Sequence, residues 1–148
     1  DLADFVKSIG VNSLQFQVFL PNNLKMAERK ESSFWVTEER WPILDVTIDR
    51  LTALKKENPQ FIKNSIDNLS LVKKYYRGTL IPDDIKCLSA YKTILASNQG
   101  TYTTCFNPYG DIQTQDLKDV LNSKKISRAQ KEVRNCSWPC LLPCFCDN

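Results

Sequence analysis

The chain has 148 residues, 42% hydrophobic and 25% charged, with a net charge of +3, enough for one domain with a proper core or one and a half small ones. It contains no histidine, which excludes Ser-His-Asp triads, Cys-His dyads and every histidine-containing zinc site. No apolar run reaches the roughly 18 residues that cross a bilayer, and the lysines fall in short pairs among acids (Lys55-Lys56, Lys73-Lys74, Lys124-Lys125), so neither a membrane nor a nucleic acid is an expected partner.

Residues 2–8 read as the end of a helix, stopped by Gly10. In residues 13–20, Leu14, Phe16, Val18 and Leu20 alternate with Gln15, Gln17 and Phe19, the period of a strand. A long loop follows over 21–36, and loops of this length inside a domain are often functional. Thr37-Glu38-Glu39 introduces a helix to about Glu57, tolerating Pro42 only in its first turn. Trp41, Leu44, Ile48, Leu51 and Leu54 form its buried stripe. Asn58-Pro59 breaks it, Phe61-Ile62 is a short strand, and Asn64-Ser65 caps a helix with Ile66, Leu69, Val72 and Tyr76 on its apolar face. Gly78 ends that helix. The alternation of helices and strands predicts parallel β/α units. Two strands cannot close a barrel, so the units require more sheet from elsewhere.

The character changes near residue 80. After a linker at Thr79 to Asp84, β-rich segments at Tyr91 to Ala96 and Thr101 to Phe106 flank Ser97-Asn98-Gln99-Gly100, a hairpin signal. Asn107 to Asp111 reads as a second turn. Thr114 is placed as the cap of a short helix carrying Leu117, Val120 and Leu121, and a polar helix from about Ser127 to Arg134 leads into the tail. The expected organisation is α/β units over 1–79 and a small α+β, cysteine-rich domain over 80–148.

All six cysteines lie in that second part, spaced C-x17-C-x30-C-x3-C-x3-C-x1-C. With no signal peptide at the N-terminus and no cysteine before Cys87, a reducing cytoplasm is the expected compartment, where cysteine clusters bind metals more often than they form disulfides. Without histidine the metal chemistry is all-thiolate, either four-cysteine zinc or an iron–sulfur cluster. A zinc ribbon offers two tight cysteine pairs, whereas Cys87 and Cys105 flank a hairpin. That favours a cluster over zinc, with secreted disulfides as the third reading.

Several motifs carry a family resemblance. Cys87 stands before the hairpin, followed by Gly100-Thr-Tyr-Thr-Thr-Cys105, then Gly110-Asp111-Ile112, Leu117-Lys-Asp-Val120-Leu121-Asn-Ser123, and Cys136-x-x-Pro139-Cys140-x-x-x-Cys144. Residues 79–146 thus resemble the auxiliary-cluster region of radical S-adenosylmethionine enzymes, the twitch or shortened SPASM type. Residues 10–78 look like the last β/α units of the partial (β/α)6 barrel that precedes it, with Gly10-Val-Asn-Ser-Leu-Gln-Phe-Gln similar to a late barrel strand. The resemblance implies an auxiliary [4Fe-4S] cluster on Cys87, Cys105, Cys136 and Cys140. The tail spacing of three residues rather than two departs from the family. Cys144 and Cys146 are extra, and Cys144 is the alternative fourth ligand.

A second departure limits the function. The CxxxCxxC motif that holds the S-adenosylmethionine-cleaving cluster is absent from this sequence. The resemblance implies a parent oxidoreductase-type enzyme holding S-adenosylmethionine and that second [4Fe-4S] cluster elsewhere, on a missing N-terminal barrel half or a companion chain. Its substrate would be a small molecule or a peptide. The opening Asp1 to Lys7, which reads as mid-helix, agrees with a segment of a longer protein. Gln15 and Gln17 would line the reaction chamber, since barrel chemistry collects at the C-terminal ends of strands, and Trp138 and Phe145 would shield the metal. The rivals are a non-catalytic zinc or electron-transfer module and a disulfide-stapled secreted binding protein.

Overall fold

A computed structural model describes residues 2–20, 26–92, 94–104, 108–136 and 140–141. Helix α1 (Leu2–Ser8) ends as expected before Gly10 and turns Ala3 and Val6 toward a core of Ile48, Leu51, Phe61, Ile62 and Leu69.

The segment 13–20 is extended, but it is not a full strand. It makes one parallel bridge, Leu14 with Ile62, in which Leu14 N–H donates to Phe61 O and Lys63 N–H to Leu14 O, both at 2.7 Å. The pairing cannot continue, because residue 64 already leads into the next helix. Side chains complete the ladder instead. The Asn64 carboxamide accepts from Phe16 N–H at 2.7 Å and donates to Phe16 O at 2.8 Å. Further along, the Tyr76 hydroxyl accepts from Phe19 N–H at 3.2 Å, and the Tyr75 hydroxyl donates to Phe19 O at 2.8 Å. Buried backbone groups need such partners whatever their source. The alternation itself holds: Leu14, Phe16 and Val18 join the core while Gln15 and Gln17 stay exposed.

The loop at 21–36 contains a short helix, α2 (Met26–Lys30). A 3-10 turn (Glu38–Arg40) then leads into α3 (Trp41–Glu57), with Pro42 in its first turn and Ile48 and Leu51 buried. Helix α4 (Ile66–Arg77) packs against α3. Its cap is as predicted, with the Ser65 hydroxyl accepting from Asn68 N–H at 3.0 Å. Gly78 adopts φ +69°, a left-handed conformation that glycine tolerates, and lets Gly78 and Thr79 N–H close on Tyr75 O and Lys74 O. Ile66, expected on the apolar face, is exposed. The buried arc runs through Asn68, Val72 and Tyr75, and at 100° per residue this turns Ile66 outward.

A second core cluster joins Val18, Trp35, Tyr75, Leu80 and, from the tail, Leu141. Trp35 lies 5.3 Å from the Tyr75 ring and 5.1 Å from Tyr76, centre to centre. Leu141 also closes a cavity of about 170 Å³ between segment 16–18, α3 and α4, which Gln17 and Asn68 help to line.

The second part is built on a three-stranded antiparallel sheet in the order β1 (Leu95–Ala96), β2 (Thr101–Thr103), β3 (Pro108–Asp111). The hairpin turn is as predicted, with Gly100 N–H donating to Ser97 O at 3.1 Å. The strand expected from Tyr91 shrinks to two residues, because Tyr91 and Lys92 both fold back onto Leu88 O. The turn expected at 107–111 is corrected: Asn107 lies outside the described residues, and Pro108–Asp111 is a strand. Gly110 pairs with Tyr102, and a Cβ there would stand 2.8 Å from Val120 Cγ1. Its absence lets α5 (Leu117–Leu121) pack directly on the sheet.

Two caps also shift. Asp116, not Thr114, caps α5, accepting from Lys118 N–H at 2.7 Å. Helix α6 (Lys124–Arg134) begins at the Ser123 cap, ahead of Ser127. A third cluster of Ala90, Tyr109, Val120, Ile126 and Ala129 holds sheet and helices together. The described architecture is therefore mixed helix with a small antiparallel sheet, of α+β character. Among the described residues no barrel strand is present beyond the single parallel bridge. Among the described residues no helix is long and apolar enough to cross a membrane.

Candidate metal centre

Cys87 and the tail pair Cys136 and Cys140, remote from it in sequence, line one cavity of about 570 Å³. This lies within the roughly 300–1,000 Å³ usual for ligand pockets. All three are half-buried, and no disulfide joins them to one another.

Each cysteine reaches the cavity on a separately anchored arm. The first wall is residues 82–87, opening with a 3-10 turn (Pro82–Asp84). Asp84 fixes this turn by accepting from Ile81 N–H at 3.1 Å and from Lys74 Nζ of α4 at 2.6 Å. The lysine hydrogen bond, with the Ile81 amide second, holds the Asp84 carboxyl below its ordinary pKa. Cys136 sits two residues past the end of α6, its N–H donating to Val133 O at 3.2 Å. Cys140 precedes Leu141, which anchors the tail in the second core cluster.

The first two arms are also tied together. Just past Cys87 the chain turns through Ala90 at φ +62°, an unusual and costly conformation for a residue with a Cβ. Gln130 of α6 holds it there, donating to Ala90 O at 3.0 Å, while the Tyr91 hydroxyl donates to Gln130 O at 3.1 Å. The helix that presents Cys136 thus also fixes the turn behind Cys87.

Charge around the cavity is mixed. Lys86 and Arg134 contribute cations and Asp83 and Asp84 carboxylates; the Arg134 guanidinium lies 5.2 Å over the Tyr91 ring. On the Cys140 side, the charge of Arg29 of α2 acts on the buried Tyr75 hydroxyl. Burial raises that hydroxyl's pKa above its ordinary value. Arg29 pulls it down, and the charge of Cys140 adds to the rise.

Of the sequence-predicted ligands, three are gathered here. Cys105 and Cys144, together with Cys146, Trp138 and Phe145, lie outside the described residues. Among the described residues no three His, Cys, Asp or Glu side chains converge to hold a metal ion. Gln15 is exposed, and Gln17 lines the smaller cavity beside α3 and α4. Lys86 and Arg134 were not singled out from sequence, though each stands within two positions of a cysteine. Arg29 had no signal beyond its place in the long loop.

No family model matches the chain, and no curated protein or solved structure is similar enough to register as a match.

Proposed function

We propose that the chain is the C-terminal part of a radical S-adenosylmethionine enzyme, with an auxiliary [4Fe-4S] cluster held by Cys87, Cys136, Cys140 and Cys105. The observation that carries this reading is the shared cavity of the three described cysteines. Two features of the residues fit such a group. Thiols spread around a cavity, instead of meeting at a point, suit a polynuclear centre better than one zinc ion. Ser89, fully buried two positions after Cys87, has a hydroxyl with no hydrogen-bond partner among the described residues, and cluster sulfurs are acceptors for such donors.

When bound, the cluster would anchor a small-molecule or peptide substrate or take up an electron from it. The chain's own residues hold the thiol arms in place, offset thiolate charge through Lys86 and Arg134, and bury the approach from the tail. The S-adenosylmethionine and the cluster that cleaves it would sit on preceding barrel units or a companion chain. Leu2 and Phe5 of α1, with Ile9 just after it, are exposed apolar side chains, which such units would cover, and the Leu14–Ile62 bridge has the parallel sense of a barrel. A cytoplasmic location would keep the thiols reduced.

Anaerobic reconstitution with iron and sulfide tests this. The expected result is a broad, reducible visible absorbance with stoichiometric iron and sulfide, lost or halved in Cys105→Ser. Bound zinc without iron, or thiols that resist labelling until reduced, would replace the reading with one of its rivals. Retention of iron in Cys140→Ser but not in Cys144→Ser would reassign the fourth ligand to Cys144.

A further inference from the structure

Asn68 is 2% exposed, and its Nδ2 has no hydrogen-bond acceptor among the described residues, although most buried polar atoms find a partner. Its orientation is fixed by its neighbour. The Asn64 carboxamide accepts from Phe16 N–H at 2.7 Å, so its nitrogen is the end that donates, to Phe16 O and to Asn68 Oδ1, both at 2.8 Å. Asn68 therefore turns its oxygen to Asn64 and its NH2 the other way, and exchanging the two atoms would set donor against donor.

Asn68, but not Asn64, lines the cavity of about 170 Å³ between segment 16–18, α3 and α4. The rest of the wall is chiefly apolar, built from Val18, Ile48, Leu51, Leu69, Val72 and Leu141, and no charged side chain lines it. Gln17 and Thr47, both exposed, mark its mouth. The room is below the roughly 300 Å³ at which drug-sized pockets begin, but above the ~150 Å³ of an apolar cavity that accepts benzene. Water is a poor occupant. A held water needs roughly two to four polar partners, and the buried wall offers a single unmet donor.

We propose that this cavity is a binding site for a neutral molecule of about one ring carrying a hydrogen-bond acceptor, such as a small ketone, with Asn68 Nδ2 as the donor that orients it. The uncharged wall rejects ions, because a buried charge without a partner is costly. Leu141 supplies one wall, so the site is complete only with the tail docked. It shares no lining residue with the thiol cavity and does not rest on the cluster reading.

The test is binding of acetophenone and of ethylbenzene, which match in size and differ in the carbonyl, to the full chain, followed by 1H–15N NMR of the side-chain amides. Acetophenone is expected to bind saturably, to move the Asn68 NH2 resonances, and to bind more tightly than ethylbenzene. Asn68→Leu, close in volume, removes the donor and is expected to weaken acetophenone by roughly two- to tenfold, leaving ethylbenzene bound as well or better. Val72→Phe fills the cavity and is expected to abolish binding of both. Where a variant fails to fold, the Asn68 resonances and the relative affinity of the two molecules in wild type decide. Absence of saturable binding, with water as the occupant, overturns the proposal. So does acetophenone binding no tighter than ethylbenzene, binding that leaves the Asn68 resonances unmoved, or binding that survives Val72→Phe.

Discussion

At the scale of single residues, Asn64 does the most with one side chain. It is fully buried, substitutes for a strand by bonding both backbone groups of Phe16, and donates to Asn68 Oδ1 at 2.8 Å. Asn64→Ala is expected to lower stability by about 1–3 kcal/mol through the unpaired groups it leaves, read as an earlier urea midpoint with unchanged m. Sequence alone read Asn64-Ser65 together as the helix cap, and of the two only Ser65 is the cap. It did not show the bond to Phe16, because that depends on a segment far earlier in the chain. The cysteines were more legible: residue type and the absence of histidine restrict their chemistry before any fold is known.

At the scale of elements, local chemistry and tertiary pairing compete. Asn-Pro-Tyr-Gly-Asp has the composition of a turn, yet Pro108–Asp111 is the third strand of the sheet. Pairing with β2 and the 6.4 Å stack of Tyr109 on Tyr102 override local preference. The converse happens in segment 13–20, where the period of a strand is present but the neighbouring chain is too short to pair with it. Gly110→Ala tests the strand assignment. Its Cβ would meet Val120, buried between sheet and α5, and overpacking of this kind costs about 1–3 kcal/mol. A melting temperature equal to wild type would mean that α5 does not press on β3. Helices with a long apolar stripe, such as α3, were legible to within a turn because 17 residues of period carry more information than five.

At the scale of the whole molecule, the tail is part of the first half's core. Leu141 is 1% exposed and packs with Val18, Trp35, Tyr75 and Leu80. The division near residue 80 marks a change of local character, but it gives no hint of this return, since two leucines between cysteines carry no period. Leu141→Ala is expected to destabilise by about 2–5 kcal/mol, seen as an earlier denaturation of the Trp35 environment; the same variant should release iron faster if the cluster is present. Order of synthesis gives this packing a further meaning. Residues of the first half leave the ribosome before the tail and can begin to fold before it, yet the side chain that fills their second cluster arrives only after the stretch from Cys87 to Cys140 has been made. A nascent chain paused before Leu141 would hold helices around an unfinished interior, open to whatever apolar surface reached it first.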